Sequence, residues 1–130
     1  IAALPGFAII SHALGSTFTN PLVTGAVTTT VLAGITGSAS GGMSIALSAM
    51  ADQYNAAILT LGIPPEVMHR IVSMASGGMD TLPHNGAVIT LLAVTGLTHK
   101  QAYKDIFAIT VIKTMAVFVA IAAFTWFGLV

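Results

Sequence analysis

Cysteine is absent from the 130 residues, and charge nearly so: four Lys and Arg, four Asp and Glu, together 6% of the chain. The first absence excludes a disulfide framework and a thiolate metal site. The second excludes a water-covered surface, because a soluble domain carries about 25% charged residues. The formal net charge is zero, which argues against a nucleic-acid partner. Aromatics make up only 7%. What remains is apolar: 55% hydrophobic residues and a mean hydropathy of +0.94. The class these numbers fit is an integral membrane protein, with the lipid bilayer as its solvent. The chain has neither an initiator Met nor a basic segment ahead of its first apolar run, so the expectation is a C-terminal piece of a longer protein.

Helix signals divide the chain. Residues 1–14 read as the end of a membrane helix. Asn20 followed by Pro21 is an N-cap with proline at the first helical position. That helix is expected to run to about Ile35 and to meet a small, polar, flexible stretch, residues 37–42. A second helix is expected from Met43 to a C-cap at Gly62. The two form a hairpin over residues 20–62. Its first arm is too short to cross a bilayer, which needs about 20 apolar residues, so the hairpin is expected to be re-entrant. Pro64 and Pro65 open another helix. It spans residues 64–97 with a break at 76–86 and resumes at Ala87. Residues 98–105, with His99, Lys100, Lys104 and Asp105, read as a charged loop, and 106–130 as the final membrane helix. Lys100 and Lys104 place that loop in the cytoplasm and the C-terminus outside.

The stretch SMASGGMDTLPHNGAV, residues 73–88, concentrates polar groups and glycines in an otherwise greasy chain. Irregular backbone at membrane depth survives only when buried in protein or lining a wet cavity. Two interrupted helices point to a transporter binding site. The N-termini of the resumed helices offer free N–H groups and a partial positive charge, so a small organic anion can bind there without an Arg. Candidate substrate-facing residues are Ser38, Ser40, Gly41 and Gly42 at the tip. At the break they are Ser76, Gly77, Gly78, Thr81, Asn85 and Gly86. Asp80 and His84 are candidates for a proton pathway, since ionisable groups inside a membrane are costly. The plainer reading is that these residues only cap helix ends, with Asp80 capping a half-helix and His84 bonding a free carbonyl.

Other polar residues read as structural. Asp52, Gln53, Tyr54 and Asn55 fit an outer interface, and Glu66 with Arg70 an i,i+4 pair. Thr28, Thr29 and Thr30 are expected to return their hydroxyls to their own helix. Lys113 is read as snorkelling from inside the last helix, and Trp126 as an interfacial anchor. His12 is isolated, and the four histidines show no metal-ligand spacing. No cofactor is implied. An intramembrane enzyme would need a nucleophile–base motif such as Gly-x-Ser-x-Gly or His-Glu-x-x-His, and neither occurs. A channel or non-transporting membrane scaffold is the alternative to a carrier.

The run Ser-Gly-Gly-Met-Asp-Thr-Leu-Pro-His-Asn-Gly, residues 76–86, and the sequence from about Gly37 to the end resemble the gluconate:proton symporter (GntP) family of bacterial permeases, within the ion transporter superfamily. The resemblance is closer to members linked with 3-hydroxybutyrate use. It implies an all-α membrane fold in which this segment is the second of two inverted repeats. It also implies uptake of gluconate or a related small hydroxy-monocarboxylate across the bacterial inner membrane with a proton as coupling ion, sodium remaining open. A carrier of that kind needs the N-terminal half of the same chain, and a homo-oligomer stays open.

Overall fold

The computed structural model describes residues 18–128, together with Gly6, Ile9, Ile10, Ala13 and Leu14. The membrane helix expected over residues 1–14 and His12 fall largely outside the described residues. Among the described residues the fold is all-α, with five helices: α1 (Pro21–Thr36), α2 (Ala39–Leu61), α3 (Pro65–Ser76), α4 (Gly86–Thr95) and α5 (His99–Phe127).

Local chemistry sets the boundaries. The Asn20 side chain accepts from the Leu22 N–H at 2.9 Å, with Pro21 at the first position, where its missing N–H costs nothing. α1 ends where Gly37 turns left-handed, φ 64°, a conformation that glycine adopts without a Cβ penalty. The next residue, Ser38, caps α2 by accepting from the Gly41 N–H at 3.2 Å. The tip of the hairpin is therefore two residues, Gly37 and Ser38. The longer flexible tip expected over 37–42 is corrected, because Gly41 and Gly42 lie in the first turn of α2. Packing explains this. Gly42 is buried, and a Cβ there would overlap the backbone of Ala33 on α1. The glycine thus lets the two helices approach closely, as small residues do between membrane helices.

α1 is the central element. It packs against α2, α3 and α5, and its residues Thr28, Thr29, Leu32 and Ala33 are wholly buried. One cluster joins Leu22 and Ala26 of α1, Met50 and Tyr54 of α2, Met68, Ile71 and Val72 of α3, and Val117 and Ile121 of α5. Tyr54 is thus a core residue and not an interfacial one, unlike its exposed neighbours Asp52, Gln53 and Asn55. A smaller cluster of Val88, Leu92 and Ile106 seats α4 on the start of α5.

The loop expected over 98–105 is helix. Gln101 Oε1 accepts from the Thr98 N–H at 3.0 Å and from its hydroxyl at 2.8 Å, the reach-back half of a capping box. It opens α5 at His99. α5 has 29 residues and a mean hydropathy of 2.3 over its most apolar window, and it rises about 44 Å. That exceeds the ~30 Å hydrocarbon core of a bilayer. α1 and α4, with 16 and 10 residues, rise only about 24 and 15 Å.

The contact between α1 and α2 can be tested directly. Gly42→Val should destabilise the protein by about 1–3 kcal/mol through overpacking. Gly86→Ala, where an added Cβ meets nothing within 4 Å, should stay within about 0.5 kcal/mol of wild type. The measurement is the unfolding midpoint of the purified full-length protein in detergent.

Candidate functional site at the helix breaks

The nine residues between α3 and α4 make the break. Their backbone is partly held by short-range bonds, Gly78 N–H to Ala75 O at 3.0 Å and Asn85 N–H to Leu82 O at 2.9 Å. Other polar groups reach neighbouring helices. The Thr30 hydroxyl, from α1, donates to Ala75 O at 3.1 Å, taking up a carbonyl near the end of α3. Thr30 therefore turns outward to α3 and not to its own helix. The fully buried hydroxyls of Thr28 and Thr29 find no hydrogen-bond partner among the described residues, which also departs from the expected return to their own backbone. Gly78 is buried where α1 and α5 converge: a Cβ would come within 3.1 Å of Thr30 Cγ2 and 3.2 Å of Thr114 Oγ1. Gly77 makes no such approach; its φ of −80° merely extends the helical turn.

The two interruptions meet. His84 Nε2 lies 2.8 Å from Gly34 O in the last turn of α1. Since a carbonyl only accepts, Nε2 carries the proton and donates. A Cβ at Gly37, on the hairpin tip, would sit 3.2 Å from His84 Cδ2 and 3.6 Å from Asn85 Cα. Gly34 is in contact with Met79 and Leu82 of the break. Asn85 is buried, 3% exposed, and its side chain accepts from the Ala87 N–H at 2.7 Å, capping α4. The caps of α2 and α4, Ser38 and Asn85, therefore stand close together, each at the positive end of a helix dipole. α4 starts at Gly86, one residue earlier than expected.

Asp80 does not cap a half-helix. Its Oδ1 lies 2.6 Å from Lys113 Nζ of α5, with the two side chains 28% and 33% exposed. Lys113 is thus an ion-pair partner and does not snorkel. Beside it, the hydroxyls of Thr81 and Thr110 are 2.6 Å apart, and Thr114 packs close to Gly78. Thr110, Lys113 and Thr114 follow i, i+3, i+4 spacing and so share one face of α5, the face turned to the break. Lys113 lies fourteen residues into a helix of 29, about 21 Å along it, which is near the middle. Among the described residues Glu66 and Arg70 form no ion pair.

The remaining candidates are less involved. The Ser76 hydroxyl donates back to Ser73 O at 2.7 Å. Ser40 is exposed and 3.3 Å from Ser38. Gly86 faces open space and Gly41 packs on its own cap residue. At the other edge of the break, His99 Nε2 donates to Pro83 O at 3.0 Å. His84, His99, Lys100, Tyr103, Lys104 and Pro83 line an open concavity of about 660 Å³. A second cavity, about 330 Å³ between α2 and α3, contains no residue of the break and is mostly apolar. No group of three or more His, Cys, Asp or Glu residues gathers among the described residues to hold a metal.

The His84 contact yields a prediction. His84→Ala leaves the Gly34 carbonyl without its donor and should cost about 1–3 kcal/mol. His84→Gln retains a donor and should recover part of the loss, read from unfolding in detergent.

No family profile matches the chain, and no solved structure does. All 130 residues align with an uncharacterized transporter, YxjC, of Bacillus subtilis (strain 168), at 74% identity. The chain spans 28% of that relative's length. Together with the long apolar helix α5, this likeness supports a transporter segment in a membrane protein.

Proposed function

We propose that the chain belongs to the C-terminal inverted-repeat half of a secondary active carrier that imports gluconate or a related small hydroxy-monocarboxylate, such as 3-hydroxybutyrate, by proton symport. One observation carries this reading. The hairpin tip and the helix break, 47 residues apart from Gly37 to His84, close on one another through His84, Gly34 and Asn85. Two half-helix N-termini then face one region, where free N–H groups and dipole ends favour an anionic substrate. Ser38, Ser40, Thr81 and Asn85 provide hydroxyl and amide groups for the hydroxyls of such a substrate. Ser76 adds an acceptor, and Gly41, Gly77 and Gly86 leave room for backbone approach, whereas Gly78 packs between α1 and α5. Gly42 packs the hairpin and takes no part in binding. Asp80 carries the proton, and His84 joins the two breaks.

The basic concavity around His99, Lys100 and Lys104 suits the mouth through which an anion passes, because clustered positive charge raises the local anion concentration. In the bacterial inner membrane this mouth is cytoplasmic by the distribution of Lys residues, with the C-terminus periplasmic. The other half of the site comes from the N-terminal half of the same protein. No cofactor or enzyme chemistry enters the reading.

The test is uptake of labelled gluconate and labelled 3-hydroxybutyrate by cells expressing the full-length protein, with and without a protonophore. One label should accumulate and the accumulation should collapse with the protonophore. Counterflow exchange of labelled for unlabelled substrate should persist without a gradient. Membrane insertion with neither accumulation nor exchange would contradict the proposal and favour a scaffold.

A further inference from the structure

The geometry points to Lys113 as the substrate-carboxylate ligand of this carrier, held in the empty state by Asp80, so that binding of the carboxylate to Lys113 frees Asp80 to take a proton. The inference rests on the transporter reading above. It starts from the ion pair itself: Nζ and Oδ1 are 2.6 Å apart, and both side chains are about one-third exposed. The pair is therefore not sealed in the core of this segment.

Charge balance gives the pair its logic. An uncompensated charge within a membrane is expensive. Empty, the site is neutral, with one ammonium against one carboxylate. A second carboxylate arriving at Lys113 would leave it at one net negative charge. A proton on Asp80 restores neutrality: Asp80 passes from carboxylate to carboxylic acid, the ammonium keeps its proton, and the substrate carboxylate takes the place Asp80 held. No covalent bond is made or broken apart from the O–H on Asp80. On release the steps reverse, and the cycle moves one carboxylate with one proton and no net charge.

Among the described residues, few other groups compete for these roles. α1 and α4, the apolar helices flanking the break, carry no titratable side chain. In the break itself, His84 is the other titratable group, and its Nε2 is engaged by Gly34 O. On α5, His99, Lys100, Tyr103, Lys104 and Asp105 lie in the first two turns, roughly 12 Å or more along the axis from Lys113, and His99 is engaged by Pro83 O. Asp52 and Tyr54 of α2, and Glu66, His69 and Arg70 of α3, are absent from the ion pair. Thr81, next to Asp80 in sequence, and Thr110, one turn before Lys113, are bonded to each other at 2.6 Å and join the break to α5 beside the pair.

The experiment uses the full-length protein, with gluconate and 3-hydroxybutyrate as probes. Purified protein in weakly buffered detergent is mixed with each probe, and proton uptake is followed with a pH indicator alongside binding. Wild type should take up about one proton per bound carboxylate. Asp80→Asn should bind without proton uptake and lose the pH dependence of exchange. Lys113→Gln should bind about tenfold or more weakly, the loss of one charge-assisted hydrogen bond. A second measurement needs no variant: in proteoliposomes an imposed pH gradient should drive wild-type uptake, and an imposed membrane potential alone should not. Exchange of a probe with no proton uptake on binding, or wild-type pH dependence in the Asp80→Asn/Lys113→Gln double variant, overturns the inference and leaves the transporter reading standing. Absence of exchange of either probe by inserted wild-type protein overturns both.

Discussion

Every helix that stops inside an apolar medium leaves carbonyls and N–H groups that water cannot reach. That constraint organises this chain. α1 ends at Thr36, α3 at Ser76, and α2 and α4 begin at Ala39 and Gly86. The structure answers each end locally or across the gap. Ser38 and Asn85 cap the new helices, Thr30 covers Ala75 O, and His84 covers Gly34 O. The last two bonds tie the hairpin to the broken helix, so satisfying the backbone also brings the candidate site residues together. An Asp and a Lys can then sit at mid-helix depth, because they neutralise each other.

Much of the architecture is legible in the sequence because helix ends are written in local chemistry. Asn20-Pro21, Gly62, Pro64-Pro65 and Asn85-Gly86 announce their boundaries within a few residues. Two boundaries are misplaced by composition. Gly41 and Gly42 read as a turn because glycine is a poor helix former, yet close packing on Ala33 holds them in α2. Residues 98–105 read as a loop because they are charged. The Thr98–Gln101 capping box is the counter-signal, and it starts α5 at His99, before the apolar segment that opens at Ile106.

The site is legible in outline and not in its pairings. The polar stretch 76–86 stands out by composition, but its partners lie 29 to 50 residues away in sequence: Thr110, Lys113 and Gly34. No local rule finds such pairs. The spacing of Thr110, Lys113 and Thr114 along one face of an apolar helix is the one sequence signal that could have singled out Lys113 beforehand, since an ionisable residue there needs a named partner. The glycines divide along the same line. Gly42 and Gly78 serve close packing, whereas Gly37 supplies a left-handed turn, and only their surroundings distinguish these uses.

The central claim is that the hairpin and the break are in contact, and the chain's lack of cysteine suits a direct test. A Cβ on Gly34 would lie 3.2 Å from Met79 Cβ, close to the ~3.8 Å typical of a disulfide. Gly34→Cys and Met79→Cys are introduced together on a cysteine-free full-length background, with a protease site at the exposed turn around Gly62. Mild oxidation in native membranes should leave the two fragments joined after cleavage, and a reductant should part them. Fragments that separate under every oxidising condition, in protein shown to be inserted, would contradict the account.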